Sequence, residues 1–460
     1  MNSVTSFLKH PVFIIAVIGI IARLVISPLM GVGYDADYWA VIVRNLESGQ
    51  GLYGLEGYYY TPIWGYFLSF ESMIQETFLH IDVLGIRVPE AFMMESFTVW
   101  WSANATSISF NIFTEIPFIL SDLLVGYLIY WLIKDITKNE KKAALGFALW
   151  FLCPLIICVT SISGMFDTFS VLFAMLCIVM VRKDKLFLAG VLFMFAVLTK
   201  FFPVYLLFLL LGYIMVKHRA DGAAFKSVLK ALLGGVLAFF VLMLPQILNG
   251  ELGESLLFIT SRATSGNEAF SLIGIMTNGA VLVFAAGVIV AVFLGYLLSK
   301  KKEEELDRYF FKYALMLSVF LFMYPPLPQY LVFLIPFLAI YIAAADRRFI
   351  WSWLLLSVGG ASFIASGNFT LFLSLGSFTD FMSLDHIVSG IDWYQTSAVF
   401  GISPRDIQYY ASGVIQYLGV VTAAGIFLRD WYAGGRKGEK VFGARAFALG
   451  HRLKDQRPES

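Results

Sequence analysis

The sequence predicts an all-α integral membrane protein, a polytopic bundle of about twelve transmembrane helices. Three observations predict it. The 460-residue chain is 59% hydrophobic and only 14% charged, with a mean hydropathy of +0.78, where a soluble domain carries roughly 25% charged residues. Apolar runs recur along most of the chain, which excludes a protein with a single anchor. Lys and Arg gather in alternate connections, the pattern of a chain that crosses a bilayer repeatedly.

The first run, residues 11–30, follows MNSVTSFLKH and is long enough to span. It lacks a small-residue cleavage site, so it reads as an uncleaved first helix rather than a signal peptide. Further spans fall at 112–134, 143–161, 166–181, 186–199, 202–216, 227–248, 272–299, 308–324, 328–345, 349–366 and 408–428. Several are shorter than the ~20 residues that cross the hydrocarbon core. The pair 186–199 and 202–216 reads equally well as one bent unit. Residues 1–428 read as a single transmembrane domain, and 429–460 as a short basic tail.

Charge sets the sidedness. Lys134, Lys138, Lys141 and Lys142 form one basic connection, and Arg182, Lys183 and Lys185 the next. Lys217, Arg219 and Lys226 come after them, then Lys300, Lys301, Lys302, Arg308 and Lys312, then Arg347 and Arg348. With the spans above, all fall on one side, which the positive-inside rule makes cytoplasmic, together with both termini. The opposite side holds the long connections 31–111, 249–271 and 367–407. Most connections in a helix bundle are short, so a first loop of this size points to function.

That loop has internal order. Trp39, Ile42, Val43 and Leu46 recur at helical spacing and predict an amphipathic helix lying along the membrane surface. Ser48-Gly49-Gln50-Gly51 stops it. The apolar run Thr61 to Phe70 is too short to span and reads as a re-entrant or interfacial piece. Cys153, Cys158 and Cys177 lie inside apolar runs, with neither a CxxC pair nor histidines at zinc-ligand spacing. They read as small buried hydrophobes. No basic stripe with interleaved aromatics points to nucleic acid.

Tyr34-Asp35-Ala36-Asp37-Tyr38-Trp39 is the strongest chemical feature, directly after the first membrane helix. Its two carboxylates fit a general base, oxygen ligands for Mg²⁺ or Mn²⁺, or simply a helix start, where acids are favoured. Ionisable residues inside apolar spans are costly and tend to mark function. Arg23, Asp122, Asp167 and Lys200 are such residues, all on the half of the bundle that carries Asp35 and Asp37; snorkelling to the interface is the plainer reading of Arg23 and Lys200. Tyr60, within Tyr58-Tyr59-Tyr60-Thr61-Pro62, could stack on a sugar ring or belong to an interfacial aromatic belt. Arg262 could pair with a phosphate, and Gln329 and Tyr330 could hydrogen-bond a polar ligand.

With these residues in place, the sequence resembles the GT-C superfamily of membrane glycosyltransferases, which use polyprenyl- or dolichyl-phosphate sugars. The closest likeness is to the catalytic subunit of GPI mannosyltransferase I and its prokaryotic relatives. The likeness runs from about residue 20 to 210, with a weaker echo at 324–340. Its motifs are Arg23, Tyr34-Asp35-Ala36-Asp37-Tyr38, Glu47-Ser48-Gly49-Gln50-Gly51-Leu52-Tyr53, Tyr60-Thr61-Pro62, Ser121-Asp122-Leu123-Leu124 and Cys153-Pro154. Ser161-Ile162-Ser163-Gly164-Met165-Phe166-Asp167, Thr199-Lys200-Phe201-Phe202-Pro203-Val204-Tyr205 and Gln329-Tyr330 complete the set. The order and spacing of these motifs are more specific than any one of them.

The resemblance implies an inverting hexosyltransferase that moves a sugar, mannose foremost, from a polyprenyl-phosphate donor to a lipid, glycan or protein acceptor on the extracytoplasmic face. It implies Asp35 as the base and Asp37 as a second acid. Lys200, helped by Arg23 or Arg262, would hold the phosphate, and Asp122 and Asp167 would orient sugar hydroxyls or a basic neighbour. The form Gly164-Met165-Phe166-Asp167 is that of prokaryotic relatives and implies a prokaryotic plasma membrane. The rival from another class is a transporter or lipid-linked-sugar flippase. It predicts charges near the midplane and inverted halves, and the sequence has neither.

Overall fold

The computed structural model describes residues 10–29, 34–49, 51–54, 58, 60–87, 104–256, 279–324, 327–367, 384–399 and 401–436. Among the described residues, each run expected to span coincides with α or 3₁₀ helix, and residues 272–278 of one run lie outside them. α1 is Pro11–Ile26, α2 Tyr34–Glu47, α3 Pro62–Ile74, α4 Ile108–Thr137, α5 Glu140–Phe151 and α6 Pro154–Ser161. α7 is Asp167–Arg182, α8 Leu186–Thr199, α9 Leu207–Lys217 behind a 3₁₀ segment Phe202–Leu206, and α10 Ala224–Asn249. α11 is Gly279–Ser299, α12 Leu306–Leu321, α13 Ile335–Ala344 behind a 3₁₀ segment Pro328–Phe333, and α14 Ile350–Gly367. α15, Leu384–Thr396, lies in the last long loop, and α16 is Pro404–Arg436.

The helix limits arise from local chemistry. α1 starts with Pro at its first position, where a missing N–H costs nothing, and the His10 ring accepts from Val12 N. Ser107 caps α4 by accepting from Phe110 N at 3.0 Å, and Asn139 caps α5 through Lys142 N. Pro154 opens α6 and bends it 43° from α5. Glycine lets α8 and α10 touch backbone to backbone: a Cβ at Gly190 would overlap the Ala231 carbonyl, and one at Gly234 the Phe187 carbonyl.

Among the described residues, four helices are long and apolar enough to cross a membrane: Ile108–Thr137, Ala224–Asn249, Arg347–Gly367 and Pro404–Ala433. The bent pair α5–α6 would make a fifth. Shorter apolar helices supply the rest of the bundle, and the count of about twelve crossings depends on including them.

The basic connections meet at one end. Arg182, ending α7, pairs with Asp135 of α4 at 2.6 Å and with Asp307 of α12. Lys217, ending α9, donates to the Arg182 carbonyl at 2.6 Å, and Arg348 joins Asp346 to Asp430 of α16. Asp167, at the other end of α7, therefore lies at the opposite end of the bundle.

The described residues are helical apart from β1 (Leu84–Arg87) and β2 (Asn104–Thr106), which pair as a short antiparallel ribbon in the first long loop, and the all-α class stands. The structure corrects one expectation. The apolar face of α2 is not laid on the membrane surface. Trp39, Ile42 and Val43 are fully buried in protein, in a small core with Trp64 and Leu68 of α3, Phe110 and Phe118 of α4, and Phe166. An apolar stripe is sequestered equally well by lipid or by protein, and its spacing is the same in both cases.

Candidate active site

The site is organised by the turn between α6 and α7, residues 162–166. Gly164 sits there at φ +63°, a left-handed conformation that favours glycine. Its carbonyl accepts the Trp39 indole N–H at 2.9 Å. α2 is thereby fastened to the turn, and Asp35 and Asp37 lie in its first turn, one helical turn and less before Trp39. The side chains of Asp35 and Asp37 lie outside the described residues, as does all of Arg262.

Around Trp39 an aromatic cluster closes. Its ring stands 5.7 Å from Tyr60, 5.6 Å from Trp64 and 5.5 Å from Phe166, and Trp64 stacks on Phe166 at 4.7 Å. Such pairs contribute about 0.5–1.5 kcal/mol each beyond area burial. Tyr60 is buried in this cluster, and its carbonyl accepts from the Tyr53 hydroxyl at 2.8 Å. The next residue, Thr61, donates to the Leu198 carbonyl, tying the first loop to the end of α8 just before Lys200.

Lys200 lies between three of these parts. Its ammonium is 3.3 Å from the Asp167 carboxylate, 4.3 Å from the Phe166 ring centroid and 5.0 Å from that of Tyr60. Asp167 is fully buried and Lys200 is 7% exposed. A cation held over two rings and against one carboxylate is desolvated, so its field is strong there. Phe202, two residues on, packs 4.8 Å from Tyr330, which is buried; Gln329 beside it is half-buried.

Arg23 and Asp122 make a second buried pair. Asp122 Oδ2 accepts from Arg23 Nη2 at 2.8 Å, from Arg23 Nε at 3.0 Å and from Thr160 Oγ1 at 3.2 Å. Arg23 Nη1 donates to the carbonyls of Phe151, at 2.9 Å, and Gly19. Neither side chain is exposed. These bonds join α1, α4 and α5 through Arg23. Of the residues singled out in the sequence, Asp122 and Asp167 each gain a basic neighbour, and Tyr60, Asp167 and Lys200 come together with the α2 segment. Arg23 and Asp122 sit behind them, joined through Thr160 at the end of α6.

Two carboxylates that sequence reasoning passed over belong to the same region. Glu115 of α4 is fully buried and accepts from Ser161 Oγ at 2.5 Å. Glu71 of α3 accepts from Thr114 Oγ1 at 2.7 Å, and burial pushes its carboxyl up to about 7. The signal was present, since Glu71 is the one acid of α3 and Glu115 lies in the apolar run that also holds Asp122.

A family model described as the ALG6, ALG8 glycosyltransferase family matches residues 79–263, less than half of the chain. The comparison supports a GT-C membrane glycosyltransferase. The matched stretch holds Glu115, Asp122, Ser161, Asp167, Lys200 and Arg262, and stops short of the acids on α2. It does not reach the finer likeness to the GPI mannosyltransferase I subunit. No curated protein matches the chain. The described geometry sets an acid-bearing helix and a desolvated cation around one turn, beside an aromatic cluster.

Proposed function

We propose that this glycosyltransferase is an inverting enzyme that moves a hexose, mannose foremost, from a polyprenyl-phosphate donor to a lipid, glycan or protein acceptor on the extracytoplasmic face of a prokaryotic plasma membrane. Both termini are then cytoplasmic, with the basic end of the bundle. The observation that carries the reading is the Trp39–Gly164 hydrogen bond, which docks the helix bearing Asp35 and Asp37 on the turn that presents Asp167 to Lys200.

In this reading the acceptor hydroxyl gives its proton to Asp35 as its oxygen bonds to the anomeric carbon, while the bond from that carbon to phosphate breaks on the far side. The configuration inverts, and polyprenyl phosphate leaves without needing a proton. Lys200 stabilises the charge that develops on the phosphate, an effect that is large in a desolvated site. Arg262 is a second phosphate-binding cation, and Tyr60, Gln329 and Tyr330 contact the sugar or the donor head. Asp37 is the alternative base. With Asp35 it would offer the oxygen ligands a Mg²⁺ or Mn²⁺ ion prefers.

The test is sugar transfer by purified protein in detergent, with a panel of radiolabelled polyprenyl-phosphate sugars and total membrane lipid as acceptor. Asp35→Asn is expected to lower kcat by about 10²–10⁴-fold while the protein stays folded, the range of one general base. Full activity in Asp35→Asn would move the base to Asp37. No transfer by the wild type from any donor would sink the reading.

A further inference from the structure

Glu115 carries a consequence for the reaction that its chemistry alone does not announce. It is fully buried in α4, and among the described residues no cation stands within ion-pair distance of it. Its bond goes to Ser161, the last residue of α6. Seven residues further along α4, on the same face, Asp122 accepts from Thr160. Two successive hydroxyls at the end of α6 are therefore clamped by two carboxylates two turns apart on one helix.

The turn that builds the site comes directly after this clamp. Gly164 N donates to the Thr160 carbonyl at 3.1 Å, and Met165 N to the Val159 carbonyl at 3.1 Å, so the turn is an extension of the clamped helix end. The Gly164 carbonyl then holds Trp39. Asp122 has a second task in binding Arg23; Glu115 binds Ser161 from the side nearer α3, beside Thr114 and its bond to Glu71.

Resting on the transfer reaction proposed above, we infer that Glu115 is a positioning residue: through Ser161 it fixes the 162–166 turn, and through the Gly164–Trp39 bond it fixes the helix that carries Asp35 and Asp37. A displacement of the base by a fraction of a bond length lowers the rate of the chemical step while leaving donor binding alone.

The experiment has two arms on the full-length protein. In the transfer assay, Glu115→Ala and Ser161→Ala are each expected to lower kcat by about 10–100-fold with donor KM little changed. Glu115→Gln keeps an oxygen that accepts from Ser161 and restores most of the rate. Glu115→Ala combined with Trp39→Phe should be no worse than the poorer single variant, because both break one chain of contacts. The second arm needs no activity. An Asp35→Cys protein is labelled with a membrane-impermeant maleimide, against a control without that cysteine. Labelling should quicken several-fold when Glu115→Ala or Ser161→Ala is added, and return to the parent rate with Glu115→Gln.

Unchanged labelling in both alanine variants would overturn the inference whether or not sugar moves. So would Glu115→Gln as inactive as Glu115→Ala, since that would make the carboxylate a proton-transfer or charge group. Absence of transfer by the wild type, with labelling as expected, would instead overturn the reaction proposed and leave Glu115 in its positioning role.

Discussion

Lys134 and Glu140 meet at 2.9 Å with both side chains about half exposed, whereas Arg23 and Asp122 meet at 2.8 Å with neither exposed. The outermost pairs of the basic end differ in this way from the pairs near the turn between α6 and α7. At the basic end the Lys138–Asp135 pair is also open, while at the other end Asp167 and Lys200 are closed in. Equal distances carry unequal meaning. An open pair is screened and holds two long side chains still for little return. A closed pair recovers in mutual attraction roughly what desolvation took, so it adds little net stability, yet losing one partner strands the other. The open pairs form a solvated rim around the basic end, outside the more enclosed Arg182, while the closed pairs are fixed positions.

The comparison breaks most visibly at Asp122. Asp122→Ala leaves the Arg23 guanidinium buried and unpaired, an expected loss of about 3–5 kcal/mol. It should be read as a fall in Tm by thermal unfolding in detergent. Adding Arg23→Met to Asp122→Leu should recover most of that loss, because an apolar pair of similar volume needs no desolvation. A double variant as unstable as Asp122→Ala would mean that the backbone bonds to Phe151 and Gly19, rather than the pair, carry the contact.

Glu71 sharpens the comparison with pH. Its carboxyl is raised from the usual 4.5 to about 7 by burial, offset in part by the bond from Thr114. The folded chain thus holds a proton that the unfolded chain gives up, and stability falls as pH rises from about 4.5 through 7, then levels. The drop is at most about 3 kcal/mol. Glu71→Gln should flatten that part of the Tm–pH curve and raise Tm above pH 7. A curve unchanged by the substitution would place the proton elsewhere.

The smallest effect belongs to the rim. Glu140→Gln removes the negative charge that faces Lys134 while keeping an oxygen for it and Tyr130, and should leave Tm within measurement scatter. A clear fall would mean that the rim is a cooperative network after all.

The same contrast explains what could be read from the sequence. Helices were legible because burial in lipid demands long apolar runs, and the ends of α4 and α7 fall within a few residues of the expected limits, whereas the run expected at 143–161 is broken before Pro154 into α5 and α6. The Asp35–Asp37 motif was legible as a helix start, and α2 is indeed a helix there. Which charges meet was not legible: Arg23 and Asp122 are 99 residues apart, and nothing local links them. The docking of Trp39 on Gly164 spans 125 residues and uses a backbone carbonyl, a partner every residue possesses. Glu115 fell inside an expected span, where it looked no different from Asp122. Only its partner Ser161 shows which of the two acids faces the turn.

The kink at Pro154 has a last consequence. In an unbroken helix the Phe151 carbonyl would be spoken for by the amide four residues on. The proline ring interrupts that ladder, and the carbonyl turns to the guanidinium of α1 instead. The depth at which the first helix seats its cation is thus set by a single ring on another helix. A continuous helix through residues 140–161 would reclaim the oxygen, and α1 would have to find a new depth in the bilayer.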